Sequence, residues 1–426
     1  MFCNQCEQTL AGGCVKTGVC GKNEDVASLQ DILLLGLKGI SAYGVHAGEL
    51  GYRSEDVDKF MHEGLYSTGT NVNFSVQRFI NLNLKAGEAC LKAMELLDKA
   101  NSETFGLPTP VEVNNGTIAG HGILVTGHDL LALRELLKQT EGKGINIYTH
   151  GEMLPAHGYP ELKKYKHLAG NFGGSWVDQK KVFEIFCGAI LGTTNCVVQP
   201  KDSYKDRIFT CGIAGLEGVT HIDNMNFTPV IKKALELPKL ASNPGNTLTV
   251  GFHHSNVLAL ADKIVNAVNE GKIKHIFLVA GCDCPGNGMD YYTELVKSIP
   301  DNCIILTLAC GKFRFNNAHY GTIDGIPRLI DLGQCNNAYS AVKIAVSLAG
   351  VFKCSVNELP LSIVLSWFEQ KAVAILLTLF HLGVKNVKIG PKPPAAVSAG
   401  VFKVLQDTFN LKLITDPQKD LKEMLG

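Results

Sequence analysis

The chain has 426 residues, 46% of them hydrophobic, enough for two or three domains with sizeable cores. Its 40 Lys and Arg balance 40 Asp and Glu, so bulk charge gives no case for nucleic acid or an acidic membrane as a partner. The N-terminus carries no export signal, and the strongest apolar stretch, Leu359 to Leu382, is interrupted by Glu369, Gln370 and Lys371, which argues against a membrane span. A cytoplasmic protein of a reducing interior is expected, in which 14 cysteines mean metal or redox chemistry more than disulfide staples.

The first element is Cys3, Cys6, Cys14 and Cys20, in the pattern Cys-x2-Cys-x7-Cys-x5-Cys with Gly12, Gly13, Gly18 and Gly21 between and beside them. Four thiolates this close, on a loop able to wrap tightly, suit an iron–sulfur cluster, because each iron takes a soft terminal thiolate. A disulfide knot is disfavoured in a chain of this size without an export signal. Zinc is disfavoured because its ligands more often come as two separated Cys-x2-Cys pairs.

From Asn23 the apolar positions Val26, Leu29, Leu33, Leu37 and Ile40 recur at helical spacing, with Glu24 and Asp25 in the first turn. A second helix is predicted after Ser54 and a third from about Phe74 to Leu97. Gly106-Leu-Pro-Thr-Pro110 then breaks the pattern. Beyond it, apolar runs at Gly122–Thr126, Ile145–Thr149, Thr247–Phe252, His275–Ala280, Cys303–Leu308 and Val387–Ile389 alternate with helix-length segments, which predicts parallel sheets covered on both faces. Asn243-Pro-Gly-Asn246 is read as the separator of two such sheets. The expected organisation is a multidomain α/β protein: a helical domain over 1–107 and two Rossmann-like domains over 108–244 and 245–426.

The chemistry-bearing residues follow the predicted strands. His128, Glu152, Cys282 and Cys310 each come just after an apolar run, and ligands of open α/β sheets bind outside the carboxyl ends of the strands. Cys196 and Cys335 are further thiols in loops between apolar runs, and Glu369 reads as an isolated acid in an otherwise apolar helix. Each has a plainer alternative: His128 and Glu152 as structural or capping residues, Glu369 and Lys371 as a solvated helix face. Cys90, Cys303 and Cys354 are treated as packing. No Gly-x-Gly-x-x-Gly follows a strand and no Walker-type loop is present, so direct use of NADH or ATP is not expected.

Ten ordered segments resemble the hybrid-cluster proteins, also called prismane proteins or hydroxylamine reductases. They are Met1-Phe-Cys-Asn-Gln-Cys6, the Gly13-Cys14 and Val19–Lys22 segments, Thr126-Gly-His-Asp129, Tyr148–His157, Thr193-Thr-Asn-Cys196, Ala280-Gly-Cys-Asp283, Leu308–Lys312, Asp331–Cys335 and Trp367–Lys371. The resemblance implies a prismane or carbon monoxide dehydrogenase-like fold. It also implies a hybrid [4Fe-2S-2O] cluster between the two α/β domains, held by His128, Glu152, Cys196, Cys282, Cys310, Cys335 and Glu369, with Cys282 able to carry a persulfide sulfur. The N-terminal cysteines would hold a [4Fe-4S] cluster.

The implied reaction is the two-electron reduction of hydroxylamine to ammonia and water, with nitric oxide as a further substrate in nitrosative stress. Glu369, Lys371 and His128 would be the catalytic residues, with His150 or His157 as helpers in a proton relay. Electrons would come from a ferredoxin-like or flavin/iron–sulfur reductase. A non-enzymatic nitrosative or redox sensor that S-nitrosylates partners, and a carbon monoxide dehydrogenase-like enzyme, are the alternatives. Two features depart from most of the family. The chain matches a short class without a second helical bundle, which would leave an apolar face open and predicts a symmetric homodimer. Cys284 lies two residues beyond Cys282, either as a sulfur-exchange partner or as a bystander.

Overall fold

The computed structural model describes residues 1, 3–9, 12–366 and 369–426. Phe2 and the pair Trp367 and Phe368, which belong to two of the segments named above, lie outside the described residues. Three helices open the chain: α1 (Glu24–Glu49), α2 (Glu55–Ser67) and α3 (Val76–Phe105). Asn23, Ser54 and Ser75 cap them, their side chains accepting from the amides of Val26, Val57 and Arg78. These amides have no partner within the helix, so the caps fix where each helix starts. The third helix runs beyond the predicted Leu97 because Leu97, Ala100 and Phe105 continue its buried stripe, and it stops at Gly106, where φ is 82°.

The strands in chain order are β1 (Val111–Asn114), β2 (His121–Thr126), β3 (Ile145–His150), β4 (Leu168–Asn171), β5 (Ala189–Gly192), β6 (Ile208–Cys211), β7 (Thr220–Ile222), β8 (Thr247–Val250), β9 (His275–Gly281), β10 (Cys303–Thr307), β11 (Thr322–Ile323), β12 (Ile326–Pro327), β13 (Leu329–Asp331), β14 (Leu361–Ser366), β15 (Lys388–Gly390) and β16 (Lys412–Leu413). Two six-stranded sheets hold most of them, ordered β4-β3-β2-β5-β6-β7 and β13-β10-β9-β14-β15-β16. Every pairing in both is parallel. Counted from its own first strand, each sheet has the order 3-2-1-4-5-6, with the switch point between β2 and β5 in one and between β9 and β14 in the other.

Two sequence expectations are corrected here. Thr247–Phe252 was expected to join a parallel sheet, but β8 pairs antiparallel with β1 in a separate two-stranded ribbon. Its alternating burial, with Leu248 and Val250 inside and Thr247 and Thr249 outside, suits a ribbon with one wet face. Glu369 was read as lying in an apolar helix, within the apolar stretch Leu359 to Leu382. That stretch is instead strand β14 followed by the helix Gln370–His381, with Glu369 at its N-cap in extended conformation. Continuous apolarity hid the break, since a buried strand and a buried helix look alike without periodicity.

The helix Gln370–His381 packs on α1 and α3. All three share one hydrophobic cluster with the second sheet, including Leu33, Leu37, Ile40, Phe79, Met94, Ala374 and Leu377 together with Ile276, Leu306 and Ile389. The N-terminal helices therefore brace the element that begins at Glu369. No described helix is long and apolar enough to cross a membrane.

Candidate metal centre

Seven of the sequence-predicted site residues follow seven parallel strands. His128, Glu152 and Cys196 lie beyond β2, β3 and β5; Cys282, Cys310, Cys335 and Glu369 lie beyond β9, β10, β13 and β14. All seven line a single cavity, joined there by Trp176 and Ala309. Four thiols, two carboxylates and one imidazole thus come together from segments as much as 241 positions apart in sequence, His128 to Glu369.

The backbone at the strand ends brings these groups close. Gly127 (φ 112°) precedes His128, and a Cβ there would strike Thr193 and Thr194 beyond β5. Gly281 (φ 116°) precedes Cys282, and a Cβ there would strike Ser366 at the end of β14. The two switch points are therefore built alike, each with a glycine where neighbouring strand ends approach too closely for a side chain. Two residues of the cavity lining adopt positive φ without being glycine: Cys196 (φ 69°) and Ala309 (φ 64°, ψ −171°), the residue before Cys310. Conformations of this kind cost of order 1–3 kcal/mol and persist where the surroundings enforce them. Gln179, whose side-chain amide donates to the Cys196 carbonyl, is one such constraint.

Side-chain contacts cross between the sheets. The Cys335 amide donates to Glu152 Oε2 at 2.7 Å, and Cys335 Sγ lies 3.3 Å from His128 Nε2. Asn195 Nδ2 donates to Glu369 Oε2 at 3.0 Å and Oε1 at 3.3 Å, and reaches Cys196 Sγ at 3.4 Å. His128 Nδ1 is 2.8 Å from Thr194 Oγ1, so the hydroxyl fixes the ring and leaves Nε2 facing Cys335 and Glu152. Lys371, buried, donates to Asn336 Oδ1 at 3.2 Å.

Burial shapes the electrostatics of the site. Burial pushes His128 well below its ordinary value, with Lys371 and His46 adding to the effect, so the imidazole is neutral. Burial raises Glu152, against the pull of Lys312 and the Cys335 amide. Burial likewise raises Cys282 and Cys335; at Cys310 the contact with Cys196 acts first and burial second. Burial disfavours the Lys371 ammonium, yet Cys335, Glu369 and Cys196 outweigh it and hold the amine above its usual value. Glu152 Oε1 is buried and has no hydrogen-bond partner among the described residues. An orphaned carboxylate oxygen is costly, and a cation in the cavity would satisfy it. The donor set fits a metal cluster with both soft and hard iron sites.

At the N-terminus, Cys3 and Cys14 exchange backbone hydrogen bonds of 3.1 and 2.7 Å, and Lys22 Nζ, itself buried, lies 3.5 Å from Cys3 Sγ. Cys14 is buried, Cys3, Cys6 and Cys20 are half-buried, and all four are free thiols. His150 and His157 do not line the cavity. Their ring nitrogens meet Thr126 Oγ1 at 3.0 Å and Thr149 Oγ1 at 3.1 Å, and burial pushes them down to about 3 and about 4. Cys284 is half-buried beside Asp283 and lies outside the lining.

Relatives and neighbours agree with this architecture. The model of the prismane/CO dehydrogenase family matches residues 1–83 and 46–422. The chain belongs to the prismane/CO dehydrogenase family. Similar family members include a protein named hydroxylamine reductase from Moorella thermoacetica, 65% identical over 427 residues, and another of that name from Methanothermobacter thermautotrophicus, 54% identical over 427 residues. Both alignments cover 100% of this chain and 100% of the relative, so the chain has the length of a short class of the family. Among solved structures, carbon monoxide dehydrogenase IV from Carboxydothermus hydrogenoformans superposes with a TM-score of 0.79 at 15% identity, covering 100% of this chain and 91% of that one. That likeness speaks for the fold alone.

Sequence reasoning missed the residues that orient the donors. Thr194, Asn195, Lys312 and Asp331 fall inside segments already singled out, and their polar side chains in apolar surroundings were a usable signal. Trp176, in a short 3-10 turn after β4, had none. It reaches the site through its indole N–H, which donates to the Asp283 carbonyl at 3.0 Å, next to Cys282.

Proposed function

We propose that the chain is a hydroxylamine reductase with a hybrid iron–sulfur–oxygen cluster on His128, Glu152, Cys196, Cys282, Cys310, Cys335 and Glu369, and a [4Fe-4S] cluster on Cys3, Cys6, Cys14 and Cys20. The observation that carries the reading is the convergence of seven strand-end donors of the matching types on one buried cavity. The names of the full-length relatives support the substrate. When bound, the hybrid group would supply electrons and an open position for a nitrogen ligand. Hydroxylamine takes up two electrons and two protons; the N–O bond breaks, giving ammonia and water.

The chain's own residues do the rest. Thr194 sets the His128 ring, and Asn195 holds Glu369 from both oxygens. Glu369 is the carboxyl group placed to pass a proton. Lys371 is a persistent cation beside the cavity, suited to stabilising charge on the departing oxygen. Cys282 is the thiol assigned the persulfide. We further assign the protein to the cytoplasm, with a ferredoxin-like or flavin/iron–sulfur reductase as donor. A homodimer is supported by the exposed Leu65 and Tyr66 at the end of α2 and the exposed Val72 and Phe74 in the connection before α3; a monomeric mass by light scattering would reject it.

The deciding experiment measures iron, acid-labile sulfide and EPR on anaerobically purified protein, then adds hydroxylamine to the reduced sample. More iron than one cubane holds, with a second paramagnetic centre that hydroxylamine reoxidises repeatedly, supports the proposal. A single cubane unresponsive to hydroxylamine refutes it. Lys371→Met with unchanged turnover and pH profile would remove the lysine from the mechanism.

Nitric oxide is a second reading favoured by one observation. An apolar cavity runs from Cys282 and Cys335 past Leu306 and Leu365 to the exposed Val346. Such a lining favours an uncharged, weakly hydrated molecule. Catalytic nitric oxide consumption faster than hydroxylamine turnover would make it the preferred substrate.

A further inference from the structure

A second group of ligand-type side chains lies apart from the cavity, where α3 meets the segment after β8. One donor atom each from Asp98, His253 and His254 lies within 4.8 Å of the other two. His253 Nε2 is 3.1 Å from Asp98 Oδ1, with these side chains only 3% and 10% exposed. The two imidazole centroids are 3.8 Å apart, with planes tilted by 40°. Each ring has a nitrogen engaged by a hydroxyl: His253 Nδ1 with Ser255 Oγ at 2.8 Å, His254 Nδ1 with Ser340 Oγ at 3.2 Å. A hydroxyl partner on one nitrogen fixes ring orientation and leaves the other for a ligand, the arrangement found around histidines that bind metals.

We propose that Asp98, His253 and His254 bind one divalent d-block cation of the zinc class, independently of the cavity described above. Two imidazole nitrogens and one carboxylate oxygen form a borderline donor set without a thiol, which suits zinc, with water completing the coordination. Binding replaces the His253–Asp98 hydrogen bond with two metal–ligand bonds, the ring proton passing from Nε2 to Nδ1, where Ser255 Oγ accepts it. The position gives the cation a structural consequence. Ser340 and Tyr339 open the helix Ala338–Phe352, which follows Cys335 almost directly, and Tyr339 donates to Glu95 of α3 at 2.8 Å. A cation on Asp98 would fasten α3 to the segment after β8, which His254 ties to Ser340 of the helix Ala338–Phe352.

The test dialyses anaerobic holoprotein against Zn2+, and separately against Co2+ as a spectroscopic probe, and counts bound metal alongside iron. Wild type should take up one zinc per chain with no loss of iron and show a Co2+ ligand-field band. His254→Gln should bind zinc at least tenfold more weakly and Asp98→Asn should not bind it, with iron content unchanged in both. Equal uptake by wild type and variants, uptake only in exchange for iron, or no uptake at all overturns the proposal. Should Asp98→Asn fail to fold, His254→Gln carries the test, because His254 is only half-buried and iron content and circular dichroism report its integrity.

Discussion

Lys312 Nζ lies 3.0 Å from Asp331 Oδ1 and 3.0 Å from the Gly333 carbonyl oxygen, with both charged side chains sealed from solvent. Lys312 follows Cys310 by two residues and Asp331 precedes Cys335 by four, so one ion pair joins the turns that present two of the thiols. Asp331 Oδ1 also accepts from the Gly333 amide at 2.9 Å, which fixes the path towards Cys335. Burial raises Asp331 and Lys312 draws it back, the balance expected of a buried pair whose partners depend on each other.

Lys312→Met should therefore destabilise the protein by about 3–5 kcal/mol, because it strands a buried carboxylate. Lys312→Met combined with Asp331→Asn should cost clearly less than the sum of the single changes. Urea unfolding of the three variants measures this. A single-variant loss below about 1 kcal/mol would mean that the pair does not hold the turns together.

Thr194→Val removes the hydroxyl that orients His128 while keeping shape. Loss of such a partner typically lowers metal affinity or activity by about 10–100-fold. Iron retained after a timed chelator challenge should fall within that range, and Thr194→Ser should restore it. Retention equal to wild type would show that the ring is held by packing alone.

Gly281→Ala places a methyl against Ser366 at a φ of 116°. Strain and overpacking together predict a loss of more than about 2 kcal/mol. The displaced β9 end should also disturb Cys282, lowering iron per chain. A variant with wild-type melting temperature and iron content would contradict the close approach of β9 and β14.

Acid sensitivity follows from buried neutral histidines. Burial pushes His157 down to about 4, against an unfolded value near 6.5. Below about pH 6.5 the unfolded chain takes up a proton that the folded one refuses, so stability is fully present above that pH and falls as the solution is acidified towards 4. The loss is about 1.4 kcal/mol per pH unit for this residue. Unfolding midpoints between pH 7.5 and 5.5 should show a shallower slope in His157→Gln; equal slopes would assign the acid sensitivity elsewhere.

Much of this protein is written locally. The spacing of Cys3, Cys6, Cys14 and Cys20, the caps at Asn23 and Ser54, and the apolar runs that became β2, β3, β9 and β10 depend on neighbours within a few residues, which periodicity and turn chemistry read well. Four of the seven donors, His128, Glu152, Cys282 and Cys310, stood visibly at strand ends for that reason. The strands before Cys196, Cys335 and Glu369 were not legible: β5 and β13 are short, and β14 passes into the next helix without a change in apolarity. The alternation in Thr247–Val250 was a signal for an antiparallel ribbon that only its pairing with β1 made plain.

What the sequence by itself determined is the kind of donors and the local backbone able to present them. What only the tertiary structure decided is their meeting. Asn195 reaches Glu369 across 174 positions and Cys335 reaches Glu152 across 183, contacts without any local trace. They arise because two sheets of the same strand order turn their carboxyl ends towards one cavity, and because α1 and α3 press the helix Gln370–His381 onto it through a shared apolar core. The burial that closes this cavity also holds the His128 imidazole neutral, a property of packing that the residues along the chain do not carry.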